Sequence, residues 1–297
     1  MNRRVGGVLI YLNGKLVDRD KAVISVFDHG LLYGDGVFEG IRSYNSLVFK
    51  FEEHIDRLYR SAEAIELKIP MTKADIVKAV LETLKANGLK DAYIRLVVTR
   101  GLGDLGLDPR KCKAPTIFII ADKISLYPEE FYKNGLAIIT AKTRRNLTTA
   151  LNPKIKSLNY LNNILAKIDA IKAGTEEAIM LTYNDYVAEC TGDNIFMISG
   201  GKLITPPVDV GALEGITRGA VIGLAKKVGI GFREEMIKIE DLYNADEVFL
   251  TGTAAEIIPV TTIDKRCIGG GKPGEVTKRL MREFKLITKV DGVKYEL

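Results

Sequence analysis

The sequence predicts two α+β domains, and three observations carry that expectation. In both halves, strand pairs joined by tight turns are mixed with helices, unlike the regular strand–helix alternation of one doubly wound sheet. A chain of 297 residues exceeds the usual size of a single hydrophobic core. Residues 122–132, DKISLYPEEFY, lack a clear period and contain proline, which marks a loop between a smaller domain over 1–121 and a larger one over 133–297.

The elements follow in order. GVLIYLNGKLVD has apolar runs on both sides of Asn13-Gly14, a strong hairpin signal. VFEGIRSYNSLVFKF reads as a second hairpin turning at Asn45-Ser46. A helix is expected over about 52–66, with Ile55, Leu58, Ala62 and Ile65 on one face. Another runs from Thr72, an N-cap with Asp75 three residues on, to Asn87-Gly88. DAYIRLVVTR and PTIFIIAD read as strands.

The second half opens with the strand LAIITAK and then PKIKSLNYLNNILAKIDAIKAG, an extended stretch entering a helix. In that helix Leu161, Ile164, Leu165, Ile168 and Ile171 recur at helical spacing, and Gly174 ends it. EAIMLTYNDYVAEC and NIFMISGGKLITPP are hairpin-like. Helices over about 215–228 and 274–285 flank the strand region ADEVFLTGTAAEIIPV. No internal repeat or low-complexity segment is evident.

Composition excludes several functions. The net charge of +5 comes from scattered residues without basic runs, which argues against nucleic acid as a partner. Cys112, Cys190 and Cys267 form no CxxC pair, so neither a disulfide framework nor a zinc site is expected, and a reducing cytoplasm fits. No signal peptide or membrane span is recognisable, and no membrane partner is expected. With only His29 and His54, a Ser-His-Asp triad has little to draw on.

Two phosphate motifs are decoys. GLGDLG at 101–106 matches G-x-G-x-x-G, the one sign of an NAD-dependent dehydrogenase. No helix starts within it to hold a pyrophosphate, and LDPRKCKAP follows. GGGKPGEVTK has Pro273 where a P-loop needs Ser or Thr. A better anion site is EGITRG: Gly215 allows close approach, and the amides of Ile216 and Thr217 open a helix. TGTAAE offers a second cluster of small residues and amides.

KIKSLNY then raises its own question, because lysines at a helix mouth oppose the dipole. Lys154 and Lys156 can both be solvated charge, or one can act as a neutral amine nucleophile. A Schiff base with pyridoxal 5′-phosphate pairs such a lysine with a phosphate-binding helix start. That cofactor also needs a partner for its ring nitrogen, for which Glu189 is available. Tyr160 can serve its ring hydroxyl and Thr217 its phosphate.

The motifs SVFDHGLLYGDGVFEGIR, HIDRLYRSA, DAYIRLVVTRG, KSLNYLNNILAK, YVAECTGDNIF, GITRGAVIGLAK and ADEVFLTGTAAEIIPV resemble, in order, those of fold type IV pyridoxal-phosphate enzymes. Within that group the sequence is similar to the branched-chain amino acid aminotransferases, over about residues 5–285. D-amino acid aminotransferases and aminodeoxychorismate lyases share the lysine, glutamate and phosphate motifs and stand as alternatives. FEGIR and YIRLVVTRG favour the branched-chain enzymes.

The resemblance implies a two-domain α+β fold of the D-amino acid aminotransferase type. The implied reaction is ping-pong transfer of an amino group between leucine, isoleucine or valine and 2-oxoglutarate. It assigns the Schiff-base lysine to Lys156 and leaves Lys154 a bland neighbour. The implied cofactor residues are Arg57, Ile216, Thr217 and Thr253 for the phosphate, Tyr160 for the phenolic oxygen, Glu189 for the ring nitrogen and Leu213 against the ring. Around the substrate it places Tyr33, Phe38, Gly40, Tyr93, Arg95, Thr253 and Ala254, with a residue near Leu107 coming from a neighbouring subunit. A homodimer is implied. Tyr93 and Arg95 share one strand face, as do Phe38, Gly40 and Arg42.

Overall fold

The computed structural model describes residues 7–123 and 127–297. The chain folds as two compact units. To the first belong the described residues up to 123, with 155–159 and 288–297. To the second belong 127–154 and 160–287.

The first unit begins with the hairpin β1 (Leu9–Leu12) and β2 (Lys15–Asp18), turning through Asn13 and Gly14, both with positive φ. A short helix, α1 (His29–Tyr33), precedes the long strand β3 (Gly36–Tyr44), which pairs with β4 (Leu47–Phe49). Helices α2 (Phe51–Ala64) and α3 (Lys73–Ala86) follow, then β5 (Ala92–Thr99) and β6 (Thr116–Asp122). The expected capping box at α3 forms: Thr72 Oγ1 accepts from the Asp75 amide, and Asp75 accepts from that of Thr72. Such a cap stabilises by about 1 kcal/mol.

The first sheet runs Gly292–Lys294, β4, β3, β5, β6, β1, β2. Strand alternation sends Val37 and Ile41 of β3 to the helix side, where they pack with Ile55, Leu58, Ile76, Leu84, Ile94 and Leu96. Each large aliphatic side chain buried there contributes roughly 1.5–3 kcal/mol. The opposite face carries Phe38, Gly40 and Arg42. Their neighbours in register on β5 are Val97, Arg95 and Tyr93.

In the second unit, α4 (Glu129–Asn134) leads into β7 (Leu136–Thr140). After α5 (Leu161–Lys172) come β8 (Glu177–Leu181), β9 (Val187–Cys190), β10 (Asn194–Ser199) and β11 (Lys202–Thr205). Next are α6 (Ile216–Lys227), β12 (Phe232–Glu234), α7 (Ile239–Tyr243), β13 (Glu247–Gly252), β14 (Glu256–Ile263), β15 (Arg266–Cys267) and α8 (Glu275–Ile287). The sheet order is β12, β11, β10, β13, β14, β7, β8, β9, with β15 on β14. Ile138, Ile179, Val187, Ile195, Leu250 and Ile258 are part of its core.

Two sequence expectations need correction. The 122–132 stretch is not all loop, because α4 begins at Glu129; residues 124–126 lie outside the described ones. Residues 155–159 and 288–297, expected in the second half, pack with the first unit. Backbone bonds tie 155–159 to β3, and Gly292–Lys294 pairs with β4. The structure adds that the apolar stripe of α5 is not its buried face. Leu161, Ile164, Leu165, Ile168 and Ile171 are 38–67% exposed, whereas Asn163, Ala166 and Ala170 are buried. Alanines let the helix lie close on Ala178 and Met180 of β8, which larger side chains would prevent.

Candidate active site

The two lysines before α5 have different surroundings. Lys154 is exposed and pairs with Asp209. Lys156 is half-buried, its ammonium 4.7 Å from the centre of the Phe38 ring. Its backbone is fixed on both sides: its carbonyl accepts from the Phe38 amide at 3.0 Å, and its amide donates to Ser61 Oγ of α2 at 3.2 Å. One residue pair on, the Leu158 amide donates to Gly36 O at 2.9 Å, so this segment lies along the start of β3.

On the same sheet face, the Arg95 guanidinium lies 4.6 Å from the Phe38 ring centre and donates from Nη2 to Tyr93 Oη at 3.2 Å. The phenol acts as acceptor there, which leaves its own proton to donate elsewhere. Among the described residues Arg95 pairs with no carboxylate. A methyl group at Gly40 would collide with the Tyr93 hydroxyl, so glycine is what admits Tyr93 there.

Behind the sheet, α2 presents His54, Arg57 and Ser61 inwards. Glu39, fully buried on the helix side of β3, accepts from Arg57 Nε and Nη2 at 2.7 Å each. It also receives His54 Nδ1 at 2.8 Å. Burial pushes the Glu39 carboxyl up, but the charge and hydrogen bonds of Arg57, with those of His54, prevail and hold it at about 2. Burial lowers His54, against the opposing pull of Glu39, so His54 is a neutral Nδ1–H donor.

In the second unit, Glu189 shares with Met180 the sheet face that α5 covers. Arg145 Nη2 meets its Oε1 at 2.5 Å. Its Oε2 accepts from the Leu213 amide at 2.9 Å and from Asn194 Nδ2 at 3.2 Å. Asn194 also donates to Leu213 O, and its Oδ1 sits where a Cβ on Gly215 would fall. Gly215 is the N-cap of α6, and no side chain caps that helix, whose first residues are Ile216 and Thr217. Thr253 and Ala254 form the turn between β13 and β14. Tyr160 immediately precedes α5.

Two expected substrate residues of the first unit, Tyr33 at the end of α1 and Leu107, meet the 101–107 loop. Tyr33 Oη donates to Leu105 O at 2.5 Å, and its ring packs edge-on against His29, so it is tied to the 101–107 loop rather than to Arg95. Leu107, in that loop, is 78% exposed. The GLGDLG stretch opens no helix; only the short turn Pro109–Lys111 follows. Sequence reasoning missed Glu39, His54, Ser61, Arg145, Asn163 and Asn194, which hold the named residues. The helical spacing of His54, Arg57 and Ser61 was the available signal for α2.

Each unit offers groups that suit pyridoxal phosphate: the first an amine on a fixed backbone and an arginine, the second a buried carboxylate with both oxygens held and a helix start without a side-chain cap. Fold and site define a class. Residues 36–263 match the Amino-transferase class IV family, and the chain belongs to it. It is 56% identical over 285 residues to the putative branched-chain-amino-acid aminotransferase of Methanocaldococcus jannaschii, covering 96% of this chain and 98% of that one. The crystal structure of the Escherichia coli branched-chain amino acid aminotransferase superposes with TM-score 0.92 at 35% identity, over 98% and 96% of the two chains. The branched-chain aminotransferase of the thermophilic archaeon Thermoproteus uzoniensis, solved with norvaline, gives 0.90 at 38%, over 96% of each chain. Among the described residues, no helix is long and apolar enough to cross a membrane.

Proposed function

We propose that the protein is a branched-chain amino acid aminotransferase, moving the amino group between leucine, isoleucine or valine and 2-oxoglutarate. The similarity to the Methanocaldococcus jannaschii protein, across nearly the full length of both chains, carries this reading. Bound pyridoxal phosphate supplies an electron sink and a carrier for the amino group. Lys156 Nζ is the amine that would hold the cofactor through its aldehyde and, when free, would serve as the base for the proton on the substrate's Cα. Glu189 would hold a proton on the ring nitrogen, Tyr160 would serve the phenolic oxygen, and Leu213 would pack against the ring. Arg57, the amides at Ile216 and Thr217, and the Thr217 and Thr253 hydroxyls neutralise the phosphate.

For the substrate, Phe38 and Gly40 shape the apolar pocket, while Tyr93 and the amides of Thr253 and Ala254 receive the α-carboxylate. Arg95 meets the distal carboxylate of glutamate, with Tyr33 as a second donor once it leaves Leu105. We further propose a cytoplasmic homodimer with Leu107 supplied across the interface. The exposed stripe Leu161, Ile164, Leu165, Ile168 and Ile171 supports this, since monomers seldom leave contiguous apolar patches in water. Steady-state assays over a panel of amino donors with 2-oxoglutarate test the reading. Turnover led by branched-chain donors is expected; preference for D-alanine, or release of pyruvate from aminodeoxychorismate, overturns it. Light scattering on the purified protein decides the dimer.

A further inference from the structure

Arg145 lies in RRNL, away from every motif that marked the site. It is buried, and each of its donor groups is engaged. Nε donates to Gly211 O at 2.9 Å and Nη1 to Asn163 Oδ1 at 2.9 Å, while Nη2 meets Glu189 Oε1 at 2.5 Å. Asn163 is itself fixed, because its Nδ2 donates to Thr191 O at 2.7 Å. The guanidinium therefore cannot swing away, and its charge stays against the carboxylate. The ionisable groups next along this interior include Asp193, Glu177, Cys190 and Tyr127, none of them a cation.

We propose that Arg145 is a positioning residue that sets how strongly Glu189 stabilises positive charge on the cofactor. The inference rests on the proposed role of Glu189 at the ring nitrogen. A carboxylate shared with a buried guanidinium attracts a proton less than one that faces the ring alone. Arg145 thus holds Glu189 ionised and aimed, yet tempers its field. The ring then remains an electron sink without over-stabilising the protonated cofactor. Asn194 and the Leu213 amide fix the second oxygen, so the carboxylate plane is set from both sides.

The test titrates the visible absorption of the holoenzyme against pH and reads the midpoint of the colour change. Arg145→Gln removes a cation close to the chromophore, so the midpoint should rise by about one pH unit, the size expected of a unit charge several ångströms away at an effective dielectric near 20. Arg145→Lys keeps the charge and loses the fork, and should leave the midpoint close to the parent's. A midpoint unmoved in Arg145→Gln, or moved equally in both variants, overturns the proposal. If Arg145→Gln does not fold, Asn163→Asp places a second carboxylate against Arg145 and should raise the midpoint likewise; no rise overturns it. Glu189→Gln separates the two readings. If its midpoint also stays put, the role of Glu189 has failed; if it moves while the Arg145 variants do not, only the present inference has.

Discussion

Replacing Glu39 with glutamine tests what holds the centre of the first unit together. The change keeps the volume, removes the charge and replaces one of the two oxygens with an NH2 group, which then faces either Arg57 Nε or else Arg57 Nη2 and His54 Nδ1, donors all. Arg57 is 4% exposed, so water cannot replace its lost partner. Breaking a buried pair from one side costs about 3–5 kcal/mol. The linkage relation gives a similar figure: a carboxyl displaced from 4.5 to about 2 corresponds to about 3 kcal/mol. That contribution is present above the ordinary carboxylate value and is lost as pH falls from about 4.5 towards 2. His54, held below its ordinary 6.5 first by burial, adds acid sensitivity in the same direction, beginning as pH drops through that value. Urea unfolding of parent and Glu39→Gln, followed by circular dichroism from neutral pH downwards, should show a gap of about 3–5 kcal/mol that narrows below about pH 4.5. Adding Arg57→Met should recover more than half of the loss, because no uncompensated charge then remains. A loss below about 1 kcal/mol, the scale of an exposed ion pair, or a gap that ignores pH, would refute the reasoning.

Borohydride reduction and peptide mapping should place the pyridoxyl group on Lys156; label on Lys154, exposed and paired with Asp209, would reject the assignment. Arg95→Ala should slow the half-reaction with glutamate far more than that with leucine, by roughly 2–4 kcal/mol for one charge-assisted contact, in single-turnover measurements; equal losses would show that Arg95 does not discriminate. Thr251 Oγ1 is buried without a hydrogen-bond partner among the described residues, so Thr251→Val should raise the unfolding free energy by about 1 kcal/mol. Destabilisation would mean that the hydroxyl has a partner, such as a buried water.

Local chemistry made most of the fold readable. The Asn13-Gly14 turn, the Thr72–Asp75 box and the 2-residue period of β3 and β5 each depend on neighbours in sequence, and each formed where expected. Periodicity located α5 but left open which of its faces is buried, since it cannot distinguish apolar groups turned towards a core from those turned away from one. The residues proposed for the site were named by motif, whereas those that hold them in place were not. Glu39 looks like any strand glutamate until α2 brings His54 and Arg57 over it, and Arg145 reaches Glu189 across 44 positions of chain. Such partners are fixed by tertiary packing, and the residues next to them carry no trace of it.

The interleaving of the two units bears on how the chain is made. Residues 155–159 join the first unit although Lys154 and Tyr160, on either side, belong to the second, and 288–297 return to the first. A ribosome that has released the first 123 residues has therefore delivered an unfinished sheet: the edge of β4 lacks Gly292–Lys294, and Ser43 lacks the hydroxyl of Tyr295. The segment bearing Lys156 cannot be seated before its own synthesis, and the sheet that seats it is not complete until nearly 140 further residues have followed. Lys156 is thus seated late, by long-range contacts that close slowly. Until then the bare edge of β4 is the surface on which a nascent chain would be expected to need shielding.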